Sequence, residues 1–278
     1  MHKAIPLDER MMPYLLQSGF VGLSKLRSIQ LDWALLTALV ERWRPETHTF
    51  HLPHGEMTII LHDIEVLFGL PVDGRPVIGS TNLPWPALAN DLLGESPPEE
   101  MYRGGRLSMT WLSKKFCLLL DRVPEEDVRR HTRAYILQIC GGILFADKSG
   151  NLVHLMFLQM LRNFHEAGQY SWGSASLAWL YRQLCRTSLS QTKELGGAAL
   201  LVQVWAWYRF PHIAPIPKWG CALEEDEPAA CRWDITRDTT QHPTHVVRAY
   251  REAFDRQTPH QVCNSINGII LRPSLYLH

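Results

Sequence analysis

The reading of the fold turns on Trp43-Arg-Pro-Glu-Thr-His-Thr-Phe-His-Leu-Pro-His-Gly-Glu-Met-Thr-Ile-Ile-Leu-His-Asp-Ile-Glu-Val-Leu-Phe-Gly-Leu-Pro71. Pro45 cannot continue a helix and pushes Arg44 toward extended backbone, so the preceding helix stops here. Two short runs follow, His48–Leu52 and Met57–Leu61, separated by Pro53-His54-Gly55-Glu56. Phe50 and Leu52 share one face of the first run. Met57, Ile59 and Leu61 share one face of the second. A period of two on either side of a Pro/Gly break predicts a β-hairpin with a four-residue loop. From Asp63 to Phe68 the spacing turns helical through Ile64, Leu67 and Phe68, and Gly69 with Pro71 closes that helix. Phe50, Leu52, Ile59, Leu61 and Leu67 are therefore expected in the core, packed on a helix spanning Trp33–Trp43.

Working outward, Asp32 is a fitting N-cap for that helix, with Trp33, Leu36, Val40 and Trp43 on one stripe and Leu35 and Leu39 beside it. Upstream, residues 8–18 predict a short helix broken by Gly19 and Gly22, and 23–29 a second. Downstream, Arg75–Ile78 is expected to add a short strand and Pro84–Leu93 a helix presenting Trp85, Leu88 and Leu92. Gly94–Gly105, with Pro97-Pro98 and Gly104-Gly105, reads as an insertion loop. Helices are predicted at 108–120, 124–144, 152–166, 173–187 and 194–209. Residues 198–208 are apolar nearly all round, so a central, largely buried helix is expected there. Beyond Pro211 the chain becomes rich in proline and acid, and Trp233 and a helix near 243–256 are expected to pack back. The sum is a mainly α protein: a single helical domain over residues 1–278, of about ten helices, with a small β-hairpin inserted near the N-terminus. Its motif core is 15–215, and 216–278 forms a C-terminal loop and closing helix.

Composition narrows the function. With 46% hydrophobic residues and ten tryptophans among 278, the chain has a packed globular composition. Its 28 cations balance 28 anions, so it lacks the basic excess of a non-specific nucleic-acid binder. Seven lysines leave 21 of the 28 cations to arginine, which keeps a local arginine cluster open. The six cysteines show no CxxC, and Cys140 and Cys185 fall in apolar helical runs, where buried thiols are common. No N-terminal apolar run of signal length and no stretch near the ~18 apolar residues of a membrane span is present. The expectation is a soluble, reduced, intracellular protein with no membrane partner.

The opening stretch resembles the signature of the plant mobile domain family, tied to retrotransposons and to meristem maintenance in plants, and often labelled aminotransferase-like. The likeness recurs in Arg133-Ala-Tyr-Ile-Leu137, Gly141-Gly-Ile-Leu-Phe-Ala-Asp-Lys-Ser-Gly150, Tyr170-Ser-Trp-Gly-Ser-Ala-Ser-Leu-Ala-Trp-Leu-Tyr-Arg182 and Val204-Trp-Ala-Trp207. Its structural signature here is Trp43, Arg44, Pro45, Glu46, Phe50, Leu52 and Asp63. Relatives usually carry Thr at the position of Ile60, which would form a capping box with Asp63; only the Asp63 half remains. The resemblance implies a nuclear, non-enzymatic interaction module acting in transposon silencing, gene expression and meristem maintenance, with a phosphatase-like protein partner. The alternative is a sequence-specific nucleic-acid-binding domain inherited from a mobile element.

The residues carry no assembled catalytic set. Pyridoxal phosphate needs a Schiff-base lysine, an acid for the ring nitrogen and a phosphate cup. Lys148 is the only lysine in a family motif, its neighbours read as a turn, and the α/β alternation of aminotransferases is missing. His48, His51, His54 and His62 cluster, but alternation puts His48 and His51 on opposite faces and no fourth ligand is near. No cofactor, no metal and no small-molecule substrate are expected. The remaining candidates are Arg129, Arg133, Arg162 and Arg182. If their faces converge they form a groove for phosphate or acidic peptide. Otherwise they pair with Glu125, Glu126, Asp127 and Glu166 as solvated helix faces. Arg44 and Glu46 are expected to brace the hairpin.

Overall fold

The computed structural model describes residues 4–26, 29–147, 151–189, 195–215, 227–233 and 243–263. The protein is mainly α. In chain order the described helices and strands are α1 (Met12–Ser18), α2 (Val21–Lys25), α3 (Trp33–Val40), β1 (Trp43–Arg44), β2 (Thr49–Leu52), β3 (Gly55–Met57), α4 (Leu61–Phe68) and α5 (Trp85–Leu93). There follow β4 (Tyr102–Arg103), β5 (Arg106–Ser108), α6 (Met109–Lys115), α7 (Glu125–Ile139), β6 (Leu152–His154), α8 (Met156–Met160) and α9 (Phe164–Ala167). The last three are α10 (Trp172–Leu189), α11 (Ala199–Arg209) and α12 (Pro243–Asp255). No helix among the described residues is long and apolar enough to cross a membrane. The packing divides into two compact units, one of residues 1–24, 70–176 and 196–198, the other of 25–69, 177–195 and 199–278.

In the first unit α7 is the hub, touched by α1, α5, α6 and α8. Its π-turn, Cys140–Leu144, lies against β6. A Cβ on Gly141 would come within 2.7 Å of the Val153 Cβ and 2.8 Å of the Met109 Sδ, so this glycine is required by close approach. Strands β4, β5 and β6 form an antiparallel sheet in that order. The stretch expected to be an insertion loop supplies its first hairpin. Gly104 and Gly105, with φ of 57° and 76°, make the two-residue turn that matches strand twist. The predicted helix 152–166 is instead strand β6 and two short helices. The predicted strand at 75–78 reduces to one bridge, Arg75 to Tyr170, since Pro76 has no N–H to continue a ladder. The 71–75 segment runs along the start of α10, where the Gly173 N–H donates to Pro71 O at 2.8 Å and the Ser174 hydroxyl to Val72 O at 2.7 Å.

The second unit is built on α11, in which only Leu200 is not buried. Its one carboxamide, Gln203, serves the loop before α3: Oε1 accepts from Asp32 N–H at 2.6 Å and Nε2 donates to Gln30 O at 2.9 Å. Asp32 then caps α3, its Oδ1 accepting from Ala34 and Leu35 N–H. That helix ends at Val40, and Trp43 stands on β1. The burial stripe is Leu35, Leu36 and Leu39, while Trp33, expected inside, is half exposed at the first turn. Trp233 is buried against Trp207 and Tyr208, and α12 packs on α3, as expected for the closing segment. Residues 224–226 of the acidic stretch, Lys148 and residues 264–278 lie outside the described residues.

Candidate functional site

The signature folds as a three-stranded antiparallel sheet, β1-β2-β3, leading into α4. Phe50 sits at its centre, edge-on to Trp43 at 4.9 Å and tilted against Trp205 at 5.2 Å. Phe50, Leu52, Ile59 and Leu67 are buried. Leu61 is 40% exposed because α4 begins there and the strand has already ended at Met57. The loop between β2 and β3 is Pro53-His54 alone, two residues in place of four. The sheet gains a third member because Pro45 ends the preceding run only after Trp43 and Arg44 have paired with Phe50 and Thr49. Arg44 and Glu46 face solvent, so the expected brace is supplied elsewhere.

The brace is Asp63. This carboxylate is fully buried; Oδ2 accepts from the Ile60 N–H at 2.9 Å and Oδ1 from the Arg209 guanidinium at 2.7 Å. Asp63 thus completes the surviving half of the capping box and also ties α4 to α11. Arg209 spends a second nitrogen on Cys263 O at 3.3 Å.

The four arginines are held in different ways. Arg133 is 4% exposed: its Nε donates to Leu161 O, and its terminal nitrogens donate to Leu92 O, Arg162 O and the Glu126 carboxylate. That guanidinium braces the first unit from inside and cannot reach a phosphate. Arg129 pairs with Glu125 at 2.7 Å and lies over the Tyr14 ring, and Arg162 pairs with Asp91 at 2.7 Å. The Tyr14 hydroxyl and the Arg129 guanidinium hold Glu125 below the ordinary carboxylate range. Arg182 is exposed in the second unit, its guanidinium 5.9 Å from the Trp179 ring centroid. Of the acids expected as partners, Glu125, Glu126 and Asp127 serve α7; Arg162 uses Asp91 in place of Glu166.

The signature histidines are engaged separately. His48 occupies the loop between β1 and β2 with φ of 55° and stacks on Tyr181 at 5.6 Å. His51 stands 3.8 Å from Glu56. His54 reaches Gln257 O at 2.5 Å through Nε2. Burial drives His154, in the first unit, below the usual imidazole range.

One recess was not foreseen. A pocket of about 230 Å³ lies beside β3 and the turn after α12, lined by Leu52, Met57, Pro259 and Val262 together with His54, Glu56 and Gln257. Gln257 is 4% exposed, and among the described residues its Oε1 and Nε2 have no partner. Nothing in the local sequence marks Gln257, because the recess is made by two segments about 200 residues apart.

A hairpin clasp tied by a buried Asp–Arg pair to an all-round apolar helix defines a helical module with the plant mobile domain signature. The chain belongs to the plant mobile domain family, whose model matches residues 19–265. It is 42% identical over 265 residues to the Arabidopsis thaliana serine/threonine-protein phosphatase 7 long form homolog, a match covering 92% of this chain and 20% of that protein. It is 37% identical to two further Arabidopsis thaliana proteins. MAIN-LIKE 2 matches over 94% of this chain and 38% of its own length, and MAINTENANCE OF MERISTEMS over 69% and 40%. The chain therefore spans two-fifths or less of these relatives. No solved structure matches it.

Proposed function

We propose that this chain is a non-enzymatic protein-interaction module of the nucleus, acting with a phosphatase-like protein partner in transposon silencing, gene-expression control and meristem maintenance. Family membership supports the setting, as does the likeness to a protein named for meristem maintenance. The partner class follows from the likeness to a protein with a phosphatase name. The observation that carries the choice of protein over nucleic acid is Arg133, whose guanidinium is consumed by three carbonyls and Glu126. The zero net charge removes the long-range pull toward DNA as well.

Affinity purification from plant nuclei, with and without nuclease, tests the reading. A phosphatase-family protein retained after nuclease is the expected result. Loss of every partner on nuclease treatment would overturn it, as would salt-steep duplex binding whose log–log slope falls by about one for each of Arg129→Ala and Arg162→Ala. Either result installs the sequence-specific nucleic-acid reading.

A further inference from the structure

The chain holds two places where a serine or threonine is followed by proline, Ser96-Pro97 and Thr258-Pro259. The fold treats them in opposite ways. Ser96 is exposed, but Pro97 is buried within the first unit. Thr258 and Pro259 are both exposed, on the turn that follows α12 in the second unit. Thr258 is extended there, with φ of −103° and ψ of 156°, the conformation that a following proline favours.

A residue that accepts a phosphoryl group must bring its hydroxyl in line with the γ-phosphate of ATP and within reach of the kinase's catalytic aspartate. Extended backbone carrying an exposed side chain meets that need with little rearrangement. Proline in the next position contributes by what it lacks. It has no N–H, so an apolar pocket on the kinase can close over its ring without leaving a donor unpaired. Such a pocket can take Pro259. It cannot take Pro97, whose ring the first unit already encloses.

The turn itself is easily opened and leaves the hydroxyl uncommitted. Pro259–Gln261 is one 3₁₀ turn, closed by the Gln261 N–H on Thr258 O at 3.0 Å and the Val262 N–H on Pro259 O at 3.3 Å. The Thr258 N–H donates to Gln261 Oε1 at 2.8 Å, while the Thr258 side chain makes no capping bond. A single exposed turn of this kind has poor hydrogen-bond geometry and belongs to the least stable part of a fold. Esterifying the hydroxyl removes none of these bonds. Arg256 is exposed two residues earlier, so a cation stands near the added charge of about −1.5 to −2.

We infer that Thr258 is a phosphorylation site for a proline-directed protein kinase. The Thr258 Oγ attacks the γ-phosphorus of MgATP and forms the ester bond. The bond from that phosphorus to the bridging oxygen breaks, ADP leaves with the electron pair, and the hydroxyl proton passes to the kinase's aspartate. This site goes beyond the protein-interaction reading and does not rest on it.

The test incubates the full chain with MgATP and a mitogen-activated protein kinase, a proline-directed enzyme, and maps phosphate by tandem mass spectrometry. In the folded chain Thr258 should be modified about tenfold or more faster than Ser96. A synthetic peptide of residues 92–101, with its proline uncovered, should be accepted about as well as one of 254–263. Thr258→Val should abolish modification at this turn. Pro259→Ala keeps the hydroxyl, restores an N–H and should slow transfer about tenfold or more. Both variants should melt near the parent's temperature, since the turn lies at the surface. Four results overturn the inference: Thr258 unmodified in the folded chain, Ser96 modified as fast as Thr258, Pro259→Ala modified at the parent's rate, or the 92–101 peptide refused, which would remove burial as the reason for the choice.

Discussion

Asp63 and Arg209 form a buried ion pair at 2.7 Å, with the carboxylate wholly enclosed and the guanidinium side chain 9% exposed. Removing either charge leaves the other in an interior that cannot solvate it. Arg209→Met is expected to cost roughly 3–5 kcal/mol in urea denaturation. Asp63→Asn keeps an acceptor for the Ile60 N–H but strands the cation, so its loss should be of the same order. The double variant should lose clearly less than the two singles together, since no unpaired charge remains. Additive losses would mean the pair is not coupled.

Phe50→Ala is expected to cost roughly 3–5 kcal/mol, because the ring is fully buried between Trp43 and Trp205. Thermal unfolding checks it. A melting temperature near the parent's would show that the hairpin does not hold the unit.

The adjacent glycines of the π-turn should behave differently. Gly141→Ala drives a methyl into Val153 and Met109 and should destabilise by roughly 1–3 kcal/mol. Gly142 faces open space, so Gly142→Ala should be neutral or mildly stabilising. Paired denaturation curves read the contrast, and equal losses would contradict it.

His48 tests backbone conformation. At φ of 55°, glycine or asparagine fits and a β-branched residue is strained. His48→Val should lose about 1–2 kcal/mol more than His48→Asn, since both forfeit the ring stacked on Tyr181. Circular dichroism melts of the two variants decide.

Asp8 carries the pH prediction. Its hydrogen bonds to the Arg10 side chain and N–H lower its carboxyl from 3.8 to about 2. A lowered folded value means the contribution is fully present above the unfolded value and fades as pH falls from about 4 toward 2. NMR titration should place Asp8 near the lower figure in the parent and part of the way back toward the ordinary value in Arg10→Ala, which loses the guanidinium but keeps the backbone N–H.

Much of this was legible because local rules had no competitor. Asp32 capped its helix and the 198–208 stretch formed the buried centre, since each signal sits within a few residues of its effect, whereas the helix expected to run up to Pro45 ends at Val40 and gives way to β1. The second sheet was invisible for the opposite reason. Strands of two and three residues are too short to show a period of two, and β6 is recruited by a partner more than forty residues upstream. Arg133 shows the same limit for sites. Its helix position looked like a solvated face, yet tertiary packing turned it inward to serve carbonyls from α5 and the end of α8. Trp33 was misplaced because the helix starts at that residue, where a first-turn side chain has no preceding turn to lean on.

The two units are interleaved along the chain: residues 1–24, 70–176 and 196–198 make one, and the intervening stretches with the remainder make the other. No single cut separates one unit from the other. During translation the earliest segment must wait for residue 198 to leave the ribosome before its own unit is complete. A gene rearrangement that breaks the coding sequence between residues 25 and 198 would split at least one unit between the two pieces. Such a module can be inherited or transplanted only as one uninterrupted cassette of its full length.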